Sequence, residues 1–164
     1  MRTIIPIIYI VFFISLGVYG QKVKKTEKVR SNTIFAQSSI LNWSGEIGLL
    51  FLTANYEHLT KAAKNGYIAF SVGGGPIIGI LDYYGTYPFI NIEIDRLIGK
   101  QNHFFEIGAG LNIINTALLN TRVGYRLMAG NRFMFRSSYH LVVPHFAMGL
   151  SVSLGYRFGR NSNK

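Results

Sequence analysis

Residues 146–158 alternate between two kinds of side chain without a break of phase. The even positions are large and apolar, whereas the odd positions are small or polar and include Arg157. A period of two indicates a β-strand whose two faces meet different surroundings, and it excludes an amphipathic helix, which repeats every ~3.6 residues. The apolar face consists of Phe146, Met148, Leu150, Val152, Leu154, Tyr156 and Phe158.

The same alternation recurs through the preceding part of the chain. Ile90, Ile92 and Ile94 share one face of such a segment. The breaks between segments contain the Gly, Asn, Asp and Pro residues that favour turns, as at Gly130-Asn131. The first segment is the weakest, because its apolar and polar residues alternate poorly. We expect eight strands, at residues 32–40, 46–58, 66–80, 86–98, 103–114, 119–128, 132–142 and 146–158.

Composition narrows the class of protein further. Only 15% of the 164 residues are charged, against roughly 25% in soluble domains. Because 49% of the residues are hydrophobic, the chain is not disordered. The absence of Cys excludes disulfide bonds and thiolate metal sites.

The first 20 residues have the layout of a secretory signal peptide. Arg2 gives a short positive start, an apolar run extends from Ile4 to Leu16, and Gly20 precedes a cleavage position before Gln21. The run is short for a spanning helix, which needs about 20 residues. A cleaved signal peptide at 1–20 is therefore expected, with a retained anchor as the alternative. A lipoprotein is excluded because no Cys follows.

The formal net charge of +10 does not by itself indicate a nucleic-acid partner. Residues 22–30 carry five cations against Glu27, and the other cations are dispersed, mostly as Arg. No basic helix, zinc-finger spacing or RNA-binding aromatic motif accompanies them. We expect a solvated basic linker at 21–31 and no nucleic-acid binding. The alternative is attraction of this linker to anionic lipid or another envelope polyanion.

The polar face of the strands is unusual for a surface in water. It is rich in Gly, Ala and Ser, with single charges among them, which suits the crowded inside of a narrow barrel. Four acids against five arginines can form a paired network there, and buried arginines need such partners. Arg96 falls on the apolar face, and we expect it near a rim. The predicted interior charge network consists of Glu57, Glu93, Asp95, Glu106, Arg122, Arg126, Arg132, Arg136 and Arg157.

Export, eight strands, an apolar outside and a charged inside together predict an all-β fold. The expected architecture is a single antiparallel, eight-stranded, up-and-down transmembrane β-barrel in the outer membrane. Residues 32–158 would form the barrel, and residues 159–164 a C-terminal tail. A closed barrel leaves no strand edge in lipid. The expected partners are outer-membrane lipid and the barrel-assembly machinery.

Local motifs carry a resemblance to a known family. Gly48 to His58 resembles the second-strand motif of small outer-membrane barrels common in Bacteroidota, and Leu97 to Gly110 resembles their central hairpin. Gly124 to Arg126, Phe133 to Arg136 and Gly149 to Phe158 complete the resemblance, which covers about residues 32–158. It implies an eight-stranded barrel of no assigned activity. The terminal strand also resembles the signal read by the assembly machinery, with Tyr156 and Phe158 as the expected signal residues.

Catalysis is not expected. Ser138-Tyr139-His140 resembles a hydrolase constellation, but barrel lipid A deacylases have His-x-Ser on the lipid side, whereas here the order is reversed and parity places both residues inside. No His pair has metal-ligand spacing. We expect no catalytic, cofactor-binding or metal-binding residues, no cofactor, and a structural or interaction role with a side-chain-filled polar interior. The alternatives are a membrane-embedded lipid-modifying enzyme and a soluble lipocalin-like barrel binding a small apolar ligand.

Overall fold

Eight antiparallel strands close into one barrel. The computed structural model describes residues 30–43, 46–62, 66–79, 85–143 and 147–161. Each strand pairs with the next in sequence, and the first closes on the last, so the barrel is up-and-down and no strand edge is left open. The strands are β1 (Arg30–Trp43), β2 (Glu46–Ala62), β3 (Gly66–Gly79), β4 (Thr86–Lys100), β5 (His103–Ile113), β6 (Ala117–Ala129), β7 (Phe133–Val143) and β8 (Ala147–Asn161).

The expected all-β, antiparallel, up-and-down barrel and all eight expected strands are confirmed. The main differences are at the strand ends, where β2 runs four residues further than expected, to Ala62. Arg30 pairs with Asn161, so β1 begins within the expected linker and β8 ends within the expected tail. Backbone pairing continues past the last alternating side chain, which is why the pattern underestimates strand length. The expected signal peptide lies outside the described residues.

The even strand number places both ends of the described chain on one side of the barrel. We call this side the terminal end; it also carries the connections 63–65, 101–102 and 130–132. The other side, the loop end, carries 44–45, 80–85, 114–116 and 144–146. Gln101 and Gly130 have φ angles of 59°, the left-handed conformation that tight turns use. Among the residues described, no helix has the length and apolarity needed to cross a membrane.

Most large apolar side chains face outward. Phe133 is 62% exposed, Leu150 45% and Leu154 65%, whereas Arg126 and Arg136 have no exposed surface. The faces are therefore the reverse of those in a soluble lipocalin-like barrel, whose aromatic side chains would line a central cavity.

The inside of the barrel has three layers. Next to the loop end lies an apolar cluster that includes Phe51 and Phe89, whose rings meet edge to face at 5.0 Å. Next to the terminal end lies a second apolar cluster that includes Phe104 and Met128. Polar and charged side chains fill the space between. The expectation of a polar interior is thus wrong at both ends, where alternation places Leu, Ile, Phe and Met inside.

Candidate functional site

The middle layer of the interior collects eight charged side chains, all at most 5% exposed. They come from six strands, with two from β4, two from β6 and one each from β2, β5, β7 and β8. Four of the side chains are carboxylates and four are guanidinium groups, so the layer has no formal net charge. Its members are Glu57, Glu93, Asp95, Glu106, Arg122, Arg126, Arg136 and Arg157. Arg157 lies on the terminal-end side, where its Nη1 donates to the backbone carbonyl of Gly130 at 3.5 Å, and it forms none of the salt bridges among the described residues.

Arg132 is the exception among the predicted network residues, and its expected interior position is wrong. It is exposed and lies in the turn 130–132, before β7 begins at Phe133. The alternation of β7 does not reach Arg132, because a turn does not keep the parity of the strand that follows. Only its backbone carbonyl takes a described hydrogen bond, from the backbone amide of Arg157 at 2.6 Å.

Glu106 joins three arginines. Its Oε2 accepts a hydrogen bond from Nε of Arg126 at 2.8 Å. Its Oε1 accepts one from Nη1 of Arg136 at 3.3 Å and lies 3.0 Å from Nε of Arg122. Glu106, Arg126 and Arg136 have no exposed surface. Removing the Glu106 carboxylate would therefore leave buried guanidinium charges without a counter-ion.

Glu57 and Arg126 connect opposite parts of the wall. Nη1 and Nη2 of Arg126 donate to the two carboxylate oxygens of Glu57 at 2.6 and 2.7 Å. Such a bidentate pair fixes the plane as well as the position of both groups. The partners lie on β2 and β6, which are not neighbours in the sheet, so this pair spans the lumen.

Arg122 holds the two acids of β4. Its Nη1 lies 2.8 Å from Oε2 of Glu93, and its Nε and Nη2 donate to Asp95. Gly108 and Gly110 stand opposite these acids on β5. A Cβ on Gly110 would lie 2.7 Å from Cγ of Glu93, closer than real Cβ contacts. The small residues of the polar face thus make room for the carboxylates.

Arg136 lies directly opposite Arg126 in the β6–β7 register, a like-charge pairing that needs compensation. Besides Glu106, its guanidinium donates to Gln37 and, at 3.4 Å, to Ser153. Its Cζ also lies 4.4 Å from the ring centre of Phe35, within cation–π range. Sequence analysis missed Gln37; its position between Phe35 and Ser39 on the inward face of β1 was the available signal.

His140 belongs to a side-chain hydrogen-bond network on the loop-end side of this layer. Its Nε2 lies 2.7 Å from Oγ of Ser151 and 3.2 Å from Oγ of Ser138. Its Nδ1 lies 3.2 Å from Oδ1 of Asn120, and Nδ2 of Asn120 donates to Glu93 at 3.2 Å. The adjoining cavity has a volume of about 20 Å³, which accommodates about one water molecule. A lipid acyl chain cannot enter it.

The other described histidines lie near the terminal end and have hydrogen-bond partners there. Nδ1 of His58 lies 2.8 Å from Oδ1 of Asn32, and His103 pairs with the hydroxyl of Tyr125. In the described ranges, no three His, Cys, Asp or Glu side chains are grouped so as to hold a metal ion. His145 lies outside the described residues.

The two expected assembly-signal residues lie near the terminal end of β8. Tyr156 is 44% exposed, and its ring meets that of Phe133 at 6.0 Å. Phe158 is half-buried and its ring centre lies 6.4 Å from that of Tyr56.

Arg96 lies on the outer face, as its parity predicts, and its side chain extends toward the terminal end. A Cβ built on Gly66, the first residue of β3, would lie 3.8 Å from Cζ of Arg96.

The barrel is similar to known structures of Ail, the attachment invasion locus protein of Yersinia pestis. One match covers 81% of this chain and 100% of that chain, with 14% sequence identity and a TM-score of 0.52. A second, of Ail in complex with the heparin analogue sucrose octasulfate, covers 78% of this chain and 97% of that chain, with 13% identity and a TM-score of 0.52. No protein-family model and no curated protein matches the chain. The similarity establishes the eight-stranded barrel fold, and membership of the Bacteroidota family stays a prediction.

Proposed function

We propose that the chain is an integral outer-membrane β-barrel with a structural or interaction role, and that it is neither an enzyme nor a channel. The observation that carries this proposal is the division of side chains between the two faces. The middle of the outer face is apolar. The charged side chains of the strand middles are inside, where Arg122, Arg126 and Arg136 pair with the four acids. In water this arrangement would expose a wide apolar band, whereas in a bilayer the band is solvated by acyl chains.

Strand length supports the same proposal. The strands have 11 to 17 residues, and a tilted strand needs about 9–11 to cross a bilayer. Aromatic side chains lie on the outer face near the terminal end, as in the interfacial girdle of membrane barrels. They include Tyr56, Phe105, Phe133 and Tyr156.

A lipid-modifying enzyme is less well supported, because its nucleophile and base would have to face lipid. Ser138 and His140 are each 4% exposed and face the lumen. Polyanion binding of the kind named for the Ail complex is not proposed for the loop end either. The sequence has no Lys or Arg in residues 41–49, 78–88, 113–118 or 142–148.

The proposal also includes a cleaved signal peptide, membership of the Bacteroidota family of small barrels, and the barrel-assembly machinery as a partner. The apolar segment at 4–16 and the terminal strand motif support them. In this arrangement the terminal end faces the periplasm, because membrane barrels have short turns and both chain ends on that side.

Fractionation and gel migration test the proposal together. The protein should sediment with outer membranes, resist extraction by alkaline carbonate, and migrate differently in gels before and after boiling. A soluble periplasmic pool would contradict membrane insertion. The enzyme alternative would require the lipid A profiles of deletion and wild-type strains to differ, and we expect them to be identical.

A further inference from the structure

The charges of the two barrel ends differ in sign. Five cations whose side chains the structure describes lie at the terminal end, on strand ends or in a turn. We call them the basic collar: Arg30, Lys61, Arg96, Lys100 and Arg132. Seven more Lys or Arg occur in the segments 21–29, 63–65 and 160–164, which adjoin this end in sequence. The segments of the loop end contain no Lys or Arg, and their charged residues are Glu46 and Asp82.

The basic collar is not part of the interior charge layer. Lys61, Lys100 and Arg132 are exposed, and Arg30 and Arg96 are half-buried. In the described part of the chain, every salt bridge is made by Arg122, Arg126 or Arg136 with interior acids. The collar residues come from β1, β2, β4 and the β6–β7 turn, so the positive charge is distributed around the rim.

The collar adjoins the outward aromatic side chains of the same end. Phe105 is 51% and Phe133 62% exposed, and each lies within a few residues of a collar residue in sequence. Aromatic residues of membrane barrels lie at the boundary between acyl chains and headgroups. Cations just beyond that boundary are at the level of lipid phosphates, where Lys and Arg side chains extend toward the interface.

We propose that the basic collar binds the phosphate groups of anionic phospholipids in the leaflet at the terminal end. This inference rests on the proposed membrane location. Each Lys or Arg near an anionic bilayer surface contributes about 1 kcal/mol of attraction, which corresponds to roughly a fivefold preference. The loop end offers no such cation, so the preference belongs to one leaflet.

Lipid selectivity in a reconstituted bilayer tests the inference. The folded protein, purified from membranes, would be placed in phosphatidylcholine bilayers with spin-labelled phosphatidylglycerol or phosphatidylcholine as the probe. We expect the motionally restricted fraction to show at least about a threefold preference for phosphatidylglycerol at low salt. The preference should fall to near one in 1 M NaCl, because salt screens exposed charges.

Two variants identify the collar as the source. The collar variant combines Arg30→Gln, Lys61→Gln, Arg96→Gln, Lys100→Gln and Arg132→Gln. It should lower the preference at least about twofold, while the seven cations of the adjoining segments remain in place. The loop-end variant Glu46→Gln with Asp82→Asn should retain it. Both variants must first show heat-modifiable migration. If the wild-type protein never shows heat-modifiable migration, membrane insertion itself is contradicted. That result separates failure of the proposed function from failure of this inference.

Three outcomes would overturn the inference for a folded barrel. One is equal association of the two lipid probes with the wild-type protein. Another is a preference that is undiminished in a folded collar variant. The third is the absence of lipid selectivity together with collar-dependent sedimentation on isolated peptidoglycan, which would assign the collar to the cell wall.

Discussion

Glu106 has no exposed surface and contacts Arg122, Arg126 and Arg136 within 3.3 Å. A carboxylate in this position offsets the repulsion between Arg126 and Arg136, which face each other on adjacent strands. Buried ion pairs add little net stability relative to apolar packing, but breaking one leaves an uncompensated charge. The interior layer is therefore sensitive to the loss of single members.

We expect Glu106→Gln to lower the free energy of unfolding by about 3–5 kcal/mol. Ser153→Ala, which removes one hydrogen bond from Arg136 and one to Gln37, should lower it by about 1–2 kcal/mol. Urea titration in lipid vesicles, followed by gel migration of unheated samples, measures both. Equally small losses in the two variants would contradict a stabilising charge layer.

Gly110→Ala tests the close approach of β5 to β4 beside Glu93. The new Cβ would meet the backbone carbonyl oxygen of Ile92 as well as Cγ of Glu93 at 2.7 Å, and such overpacking costs typically ~1–3 kcal/mol. Gly85→Ala is the matched control, because its nearest neighbour would be the hydroxyl of Tyr87 at 3.7 Å. The same titration should show a change within about 0.5 kcal/mol for the control. Similar midpoints for both variants would contradict the close fit.

Parity along each strand was enough to predict which charges face inward, but not which acid meets which arginine. Glu57 and Arg126 are 69 residues apart in sequence, and their contact depends on the curvature of the closed sheet. Parity also failed at Arg132, because the turn ends the strand pattern.

At the scale of the strands, β1 shows why alternation can be weak in a true barrel strand. Phe35 faces inward and packs against the guanidinium of Arg136, while the small Ala36 and Ser38 face outward. The expected contrast between apolar and polar faces is thereby inverted locally. The strand exists because both of its edges are paired, with β2 and with β8.

Phe158→Ala should reduce the amount of folded barrel recovered in the outer membrane, since the terminal strand resembles the signal read by the assembly machinery. Leu154→Ala is the control on the same strand and face; Leu154 is 65% exposed. Unheated gels of membrane fractions report the folded fraction. An equal yield for wild type and Phe158→Ala would show that this residue is not part of the signal.

At the scale of the whole molecule, two apolar clusters close the barrel on either side of the charge layer. Alternation did not predict them, because inward Leu, Phe and Met residues keep the strand period without the polar contrast. Eight-stranded barrels are just wide enough for side chains to fill. We therefore expect no ion conductance from the folded protein in planar bilayers.

The variant Phe51→Ala with Phe89→Ala removes the aromatic pair of the loop-end cluster. It should also fail to conduct, because the charge layer still fills the middle of the lumen. Current recordings with heat-modifiable protein measure both. Steady conductance steps from the wild-type barrel would contradict a filled interior.

Photolabelling of the wild-type protein by a phospholipid with a diazirine in its acyl chain measures directly which side chains touch lipid. The account predicts adducts on alternate residues of β8, at Leu150, Val152 and Leu154, and none at Ser151 or Ser153, when labelled peptides are sequenced by mass spectrometry. Adducts at Ser151, Ser153 or Arg136 would contradict it.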